Sequence, residues 1–424
     1  MEDINIFPRY VHNKIKSCIS LFDYQKELDK LQKEFEKNGI HTFSKKYQGH
    51  KIPMITQPHL DAINIAFKWN PNQISADSCG PCMKFEQNFI DEMCQMVGYD
   101  TNCWGYICSG GTIANLQALW IARNKMISGH NNKVVLGTKN VHSSINKICN
   151  ILNVKFVEID IDTINSVNDI IDVDMSSIMC VVATIGSTEM GLVDDLRKIL
   201  DVFKGFYIHA DAAWGGYFLY GSKNIIGDEL YSQLKLIKYA DSISIDQHKL
   251  GYSPYGAGVF LMNNKHNLKY IYSEFNHISN KDKNSSNTIE GSRSASITTS
   301  VWFAHQILKP IYPKIINNII EGMKLLKLRL QKIDYIQLYD NTNLGTVLFK
   351  FKKDKIMNYM IDKFTNTNNI NNNKTQLVVT QISGTIYFRI IIIDPNFIDY
   401  CDEFVNELQK DYNEYIQIYY YMKI

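Results

Sequence analysis

The chain lacks a charge excess. Its 424 residues carry 45 lysines and arginines against 43 aspartates and glutamates, a formal net charge of +2, and the lysines are spread rather than clustered. Nothing here offers the basic surface that a nucleic-acid partner requires. No uninterrupted apolar stretch is long enough to span a bilayer, and the opening Met1-Glu2-Asp3-Ile4-Asn5 has no basic start of a secretory signal. The expectation is a cytoplasmic protein with no membrane partner. Nine cysteines, an odd number, suggest no disulfide framework, and Cys79 with Cys82 has half of a zinc-knuckle spacing without the second pair. Reduced thiols and no metal site are expected. Also missing are an internal repeat and a Gly-x-Ser-x-Gly elbow, so a Ser-His-Asp triad has no support.

What is present is an ordinary globular composition, 45% hydrophobic and 21% charged, in a chain long enough to bury a large core. Leu21, Tyr24, Leu28, Leu31 and Phe35 recur near helical spacing and predict an amphipathic docking helix within an N-terminal segment, residues 1–60. From residue 61 to 308 short apolar runs alternate with helical stretches. The runs are Trp104–Cys108, Val134–Leu136, Val154–Val157, Ile178–Thr184, Phe206–His209, Ile243–Ile245 and Gly258–Met262. Such alternation predicts an α/β domain around a mostly parallel sheet. Residues 309–424 read as a smaller α+β domain, with a long helix to about Gln331, strands near Val347, Gln376 and Tyr387, and a final helix from Phe397. Asn366–Asn373, an asparagine-rich stretch, reads as a solvated loop.

Polar residues stand at the ends of several of these runs. Ser109-Gly110-Gly111-Thr112 lies between a strand and a helix, where free N–H groups and the helix dipole suit a phosphate, and Asn115 could add a side-chain donor. His142, before Ser144 and Lys147, is a flat ring that could stack on a ligand or pass a proton. Thr184 closes another run. Asp194 and Asp195 read as caps of the helix that follows. Asp211, in His209-Ala210-Asp211-Ala212-Ala213, is either the partner of a pyridinium nitrogen or a helix N-cap. Lys249 follows Asp246-Gln247-His248, and a lysine in a desolvated pocket can form a Schiff base with an aldehyde such as pyridoxal phosphate. Glycine turn, histidine, threonine, aspartate and lysine fall in order on one edge of one sheet, the edge where open α/β sheets bind ligands.

These residues resemble the group II pyridoxal-phosphate-dependent decarboxylases of the fold-type I, aspartate aminotransferase-like superfamily. The similarity rests on Ser109–Thr112, on His209–Gly216 and on Asp246–Tyr252. Within that group the chain is most similar to bacterial tyrosine decarboxylases, through Tyr47–His50, Trp69–Asn72, Lys249–Tyr255 and Glu290–Ala295. The likeness runs from about Tyr47 to Leu308 and thins beyond. It implies that Lys249 is the Schiff-base lysine, Asp211 the pyridine-nitrogen partner and His142 the stacking histidine. Ser109, Gly110, Gly111 and Thr112, with Asp246 or His248, would surround the phosphate, and Thr184 and Ala213 would lie against the ring. Tyr255 is the implied proton donor and Tyr272 its runner-up. The matched Glu290–Ala295 segment would approach the cofactor of a neighbouring subunit in a homodimer, with no role assigned to Arg293 itself. Where these decarboxylases carry an Ala-Ser-Pro-x-Thr-Thr stretch beside the cofactor, this chain reads Ser78-Cys79-Gly80-Pro81-Cys82-Met83, so sulfurs replace hydroxyls.

The activity this implies is decarboxylation of an L-amino acid, aromatic and with tyrosine favoured, to the amine and carbon dioxide. Two alternatives stand beside it: a carbon–carbon lyase or aldehyde-forming enzyme of the same fold, and a catalytically silent homologue that serves as a binding partner. Arg389 is not expected to bind the departing carboxylate, whose loss a strong cation would oppose, and as an arginine on a strand of the small domain it is expected at a surface or interface.

Overall fold

The computed structural model describes residues 21–38, 47–51, 54–74, 76–126, 132–171, 173–271, 287–365 and 375–421. Tyr272 and the whole of the 366–373 stretch lie outside them.

Seven strands form the central sheet: β2 (Trp104–Cys108), β3 (Val134–Gly137), β4 (Lys155–Glu158), β5 (Ile178–Thr184), β6 (Ile208–Asp211), β7 (Ser242–Asp246) and β8 (Gly258–Met262). Their spatial order is β2-β8-β7-β6-β5-β3-β4, and only β8 runs antiparallel to its neighbours. Every residue of β3, β5, β6, β7 and β8 is buried, because helices cover both faces of the sheet and leave no side for a polar alternation. Apolar runs such as Ile178–Ala183 follow from that burial. So do the polar residues at their ends, where the strands emerge into the site.

A second, five-stranded sheet has the order β1-β11-β12-β10-β9, built from β1 (Tyr47–Gln48), β9 (Ile336–Tyr339), β10 (Thr346–Phe351), β11 (Gln376–Ile382) and β12 (Thr385–Ile391). Ser383 and Gly384 link β11 to β12 with φ of 47° and 81°, the paired positive angles of the tight hairpin turn whose twist matches the strands. The segment before residue 60 contributes to this sheet, since β1 pairs in parallel with the start of β11. Helices Tyr312–Gln331 and Phe397–Tyr421 pack on one another.

Two expectations need correction. The helix Leu21–Asn38 forms, but Leu28, Leu31 and Phe35 are 42%, 55% and 69% exposed, so their stripe does not dock on this chain's own core. Cys94 and Cys103 are joined as a disulfide, against the expectation that the thiols are reduced. Helix Cys82–Val97 ends at Gly98 with φ of 88°, and the chain then doubles back, which brings the two Cα atoms to 6.6 Å. Cys79, Cys82, Cys108, Cys149, Cys180 and Cys401 are free and buried. Among the described residues no helix is long and apolar enough to cross a membrane.

Candidate active site

A cavity of 520 Å³ opens at the carboxyl ends of the parallel strands. Ser109, Gly110, Gly111, Thr112, His142, Thr184, Asp211, Ala213, Asp246, His248, Lys249 and Tyr255 all line it. The residues singled out from the sequence are thus brought together, from six separate strand ends and loops.

Asp211 ends β6 and is 6% exposed. Its Oδ2 accepts a hydrogen bond from Asn115 Nδ2 at 2.8 Å, and its Oδ1 accepts from Ser244 Oγ and from the Ala213 amide, each at 3.2 Å. Asn115 does not serve the phosphate position; it sits on the buried face of helix Gly111–Lys125 and is tied to β6. Its Oδ1 accepts from His209 Nε2 at 2.9 Å, and His209 Nδ1 meets Ser242 Oγ at 2.9 Å. Burial lowers the His209 pKa to about 4, against the pull of Asp211, so the ring is neutral and Nε2 carries its proton. The N-cap alternative for Asp211 reduces to one bond, that to the Ala213 amide.

Lys249 follows β7, and its Nζ lies 2.9 Å from Asp246 Oδ2. Burial opposes the charge on Lys249, but Asp246 together with Asp211 and Tyr255 outweighs it and holds the amine above the ordinary lysine value. His248 donates from Nδ1 to the Ala257 carbonyl at 2.7 Å and stands 3.5 Å from Asp246 through Nε2. Asp246 Oδ2 thus faces both Lys249 and His248. Tyr255 stacks near His248, with ring centroids 5.0 Å apart, and is 60% exposed. Burial raises its phenol pKa, with Lys249 pulling the other way.

Gly110 caps helix Gly111–Lys125 with φ of 147°, a backbone angle open to glycine. A Cβ on Gly111 would lie 3.1 Å from Asp246 Oδ2, so the turn is pressed against the loop that carries Lys249. The Ser109 amide is already taken by Glu290 Oε2 at 3.0 Å. His142 caps helix Ser143–Ile151 through Nδ1, leaving an exposed ring on the cavity. Asp195 caps helix Leu196–Val202 as expected, whereas Asp194 turns the other way. It accepts from Thr138 Oγ1, from Asn140 Nδ2 at 2.8 Å and from the Thr184 amide at 2.7 Å.

Cys79 and Cys82 pack with Ala295, Met83 and Phe85, and neither lines the cavity, because Cys82 opens the buried face of a helix. Arg293 pairs with Glu86 of its own chain at 3.0 Å. Arg389 is buried, not superficial, and donates to the carbonyls of Gly49 at 3.3 Å and Thr188 at 3.4 Å. Lys51 and Trp214 also line the cavity and were not singled out. Lys51 directly follows the Tyr47–His50 stretch that carried the resemblance, which is the one signal that could have found it.

Does this cavity suit pyridoxal phosphate? A buried carboxylate, an amine and a helix N-terminus face one volume, and two buried polar atoms on its walls, Thr184 Oγ1 and Asp246 Oδ1, lack hydrogen-bond partners in the protein. Buried polar atoms without partners mark places where a ligand completes the bonding. The residues fit the group: Gly111 and Thr112 could hold its anion, His142 and Ala213 could flank its ring, and Asp211 could partner its ring nitrogen. Fold and cavity together define a fold-type I, pyridoxal-phosphate-binding α/β protein.

The chain belongs to the pyridoxal-dependent decarboxylase family, whose conserved domain matches residues 27–352. It is 26% identical over 382 residues to an L-tyrosine decarboxylase of Enterococcus faecalis, covering 65% of this chain and 61% of that relative. A probable L-tyrosine/L-aspartate decarboxylase of Methanosphaera stadtmanae is 27% identical over 326 residues, covering 74% of this chain and 82% of that protein. The chain thus spans about three fifths of the length of the tyrosine decarboxylase, 61%. Among solved structures, the glutamate decarboxylase domain of a Vibrio parahaemolyticus diaminobutyrate-pyruvate transaminase and L-2,4-diaminobutyrate decarboxylase superposes with a TM-score of 0.75 over 94% of this chain and 89% of that one, at 21% identity. That likeness is one of fold.

Proposed function

We propose that the chain removes the α-carboxylate of an L-amino acid as carbon dioxide and returns the amine. The observation that carries this reading is the convergence of Lys249, Asp211 and the Gly110–Thr112 turn on one cavity, in a member of this family. Pyridoxal phosphate, when bound, supplies the electron sink for the pair left on Cα as the bond to the carboxylate breaks.

The protein's own groups supply the rest. Asp246 Oδ2, 2.9 Å from Lys249 Nζ, holds the amine in place on the cavity. Asp211, fixed by Asn115, Ser244 and the Ala213 amide, would meet the ring nitrogen without having to reorganise. His142, exposed on the cavity, would cover one face of the ring. Tyr255, which lines the cavity with Lys249, is the proposed donor of the proton to Cα.

The partner is proposed to be a second copy of the chain. Ile65, Phe67 and Trp69 at the end of helix Gln57–Phe67 are 63%, 53% and 81% exposed, and association would cover apolar side chains there and on helix Leu21–Asn38. Tyrosine, from the sequence resemblance, is the first substrate to assay. The test is evolution of carbon dioxide from a panel of tyrosine, phenylalanine, tryptophan, histidine, glutamate and aspartate by the protein loaded with pyridoxal phosphate. Release from one or a few is expected; release from none, with a loaded cofactor, overturns the reading.

A further inference from the structure

Lys51 enters the cavity from the turn after β1, along the wall made by residues 186–188 and Trp214. Its Nζ donates to the Ser187 carbonyl at 2.9 Å and lies 4.6 Å from the centre of the Trp214 ring. That carbonyl is its one hydrogen-bond acceptor among the described residues, so two of three ammonium protons have none. A second cation braces the same junction: Arg389, from β12, holds Gly49 on one side and Thr188 on the other. Burial first, then repulsion from Lys249 and Arg389, pull the Lys51 pKa well below the ordinary lysine value, against the attraction of Glu189 and Asp211. An anion reaching this wall meets donors of Lys51 for which the protein supplies no acceptor among the described residues.

Three anionic groups could approach: the cofactor's phosphate, the α-carboxylate and a carboxylate on the substrate's side chain. A phosphate at Gly111 stands beside the end of β7, and Ser187 follows β5, two strand intervals or roughly 10 Å along the sheet edge. An ammonium on the α-carboxylate would stabilise the ground state against loss of carbon dioxide, which works against catalysis. The side-chain carboxylate remains. We infer that Lys51 reads the side-chain carboxylate of an acidic amino acid, aspartate or glutamate, and so sets the substrate class of this cavity. The inference deepens the decarboxylase reading and rests on it for the identity of the substrate as an amino acid.

The full-length protein loaded with pyridoxal phosphate is titrated calorimetrically with succinate, glutarate and the monocarboxylates propionate and butyrate, as wild type, Lys51→Met and Lys51→Arg. Visible absorbance of each variant reports whether the cofactor is held. One dicarboxylate is expected to bind the wild type at least about 10-fold more tightly than the monocarboxylates, with the preference lost in Lys51→Met and largely kept in Lys51→Arg. In turnover, Lys51→Met is expected to lower kcat/KM for aspartate or glutamate by roughly 100-fold while changing that for tyrosine less than about 3-fold. Equal dicarboxylate affinity in wild type and Lys51→Met overturns the role of Lys51, even where carbon dioxide is released from tyrosine and the decarboxylase reading stands. Loss of the cofactor band in Lys51→Met also overturns it, by assigning Lys51 to the cofactor. A Lys51-dependent dicarboxylate preference with no carbon dioxide from any amino acid supports the anion site and defeats the decarboxylase reading alone.

Discussion

The floor of the cavity and its wall are built in opposite ways. On the floor, Asp211, Asn115, His209, Ser242 and Ser244 are all buried, and each oxygen of the Asp211 carboxylate has a donor. The wall is made of Lys51, His142 and Tyr255, which keep open donors or exposed rings and come from segments about 90 to 200 residues apart. A closed network holds one charge in one place, whereas a wall with spare donors can accept different side chains. The comparison predicts that floor substitutions affect every substrate alike and wall substitutions discriminate among them.

The largest effect is expected at Lys249, the proposed attachment point. Lys249→Ala should abolish the visible absorbance of the lysine-bound cofactor and lower carbon dioxide release by roughly 10³-fold or more for every substrate. A lysine-linked chromophore that survives in this variant contradicts the assignment.

Acid comes next, and it acts on the floor. His209 titrates at about 4 in the folded chain, while an unfolded histidine titrates near 6.5. Between those values the unfolded chain binds a proton that the folded chain refuses. The stabilisation is therefore complete above about pH 6.5 and is lost as the pH falls toward 4, on the order of 3 kcal/mol at full development. Urea midpoints measured from pH 7 to 4 should fall, and His209→Gln should flatten that slope. An unchanged slope in the variant means that the burial of His209 carries no such linkage.

Asn115→Leu preserves bulk but leaves Asp211 Oδ2 and His209 Nε2 without their partner. Each orphaned buried group costs about 1–3 kcal/mol, so a lower melting temperature and a roughly 10- to 100-fold slower turnover, equal across substrates, are expected. A substrate-selective effect would place Asn115 with the wall and break the distinction.

Much of the floor was legible in the sequence because it sits where buried apolar runs stop. Ile178–Ala183 is followed by Thr184, the run into β6 ends on Asp211, and Ser242–Asp246 leads to Lys249 within three residues. Asn115 was noticed but misassigned, since a polar residue at a helix start suits a phosphate as well as a core partner. Its place on the buried face of the helix decides the matter, and that needs the packed neighbours. The wall was harder. β1 has two residues and no periodicity, and its pairing partner β11 lies more than 300 residues away, so no local pattern signals that Lys51 meets Ser187. Arg389 was set aside by a general rule about strand arginines, which the burial of β12 between β10 and β11 defeats. The disulfide was missed for the same reason: the turn at Gly98 had to be seen before Cys94 and Cys103 became neighbours.

Asp194 and Asp195 give the finest form of the comparison, because two identical side chains at adjacent positions serve different regions. Asp195 accepts from the Lys198 amide and from Gln233, on the first turn of its helix. Asp194 is 4% exposed and holds the Thr184 amide, Thr138 and Asn140, of which Thr184 and Asn140 line the cavity. Asp195→Ala should cost about 1 kcal/mol of stability, the usual loss for an N-cap, with cofactor affinity unchanged. Asp194→Ala removes the acceptor for three donors, two of them on the cavity, and should weaken binding of pyridoxal phosphate as well, by roughly 10-fold. Urea unfolding and a cofactor titration on each variant separate the two. Equal behaviour of the pair would mean that the cavity does not depend on the bond from Asp194 to the end of β5, and that the floor is held by Asp211 and its partners alone.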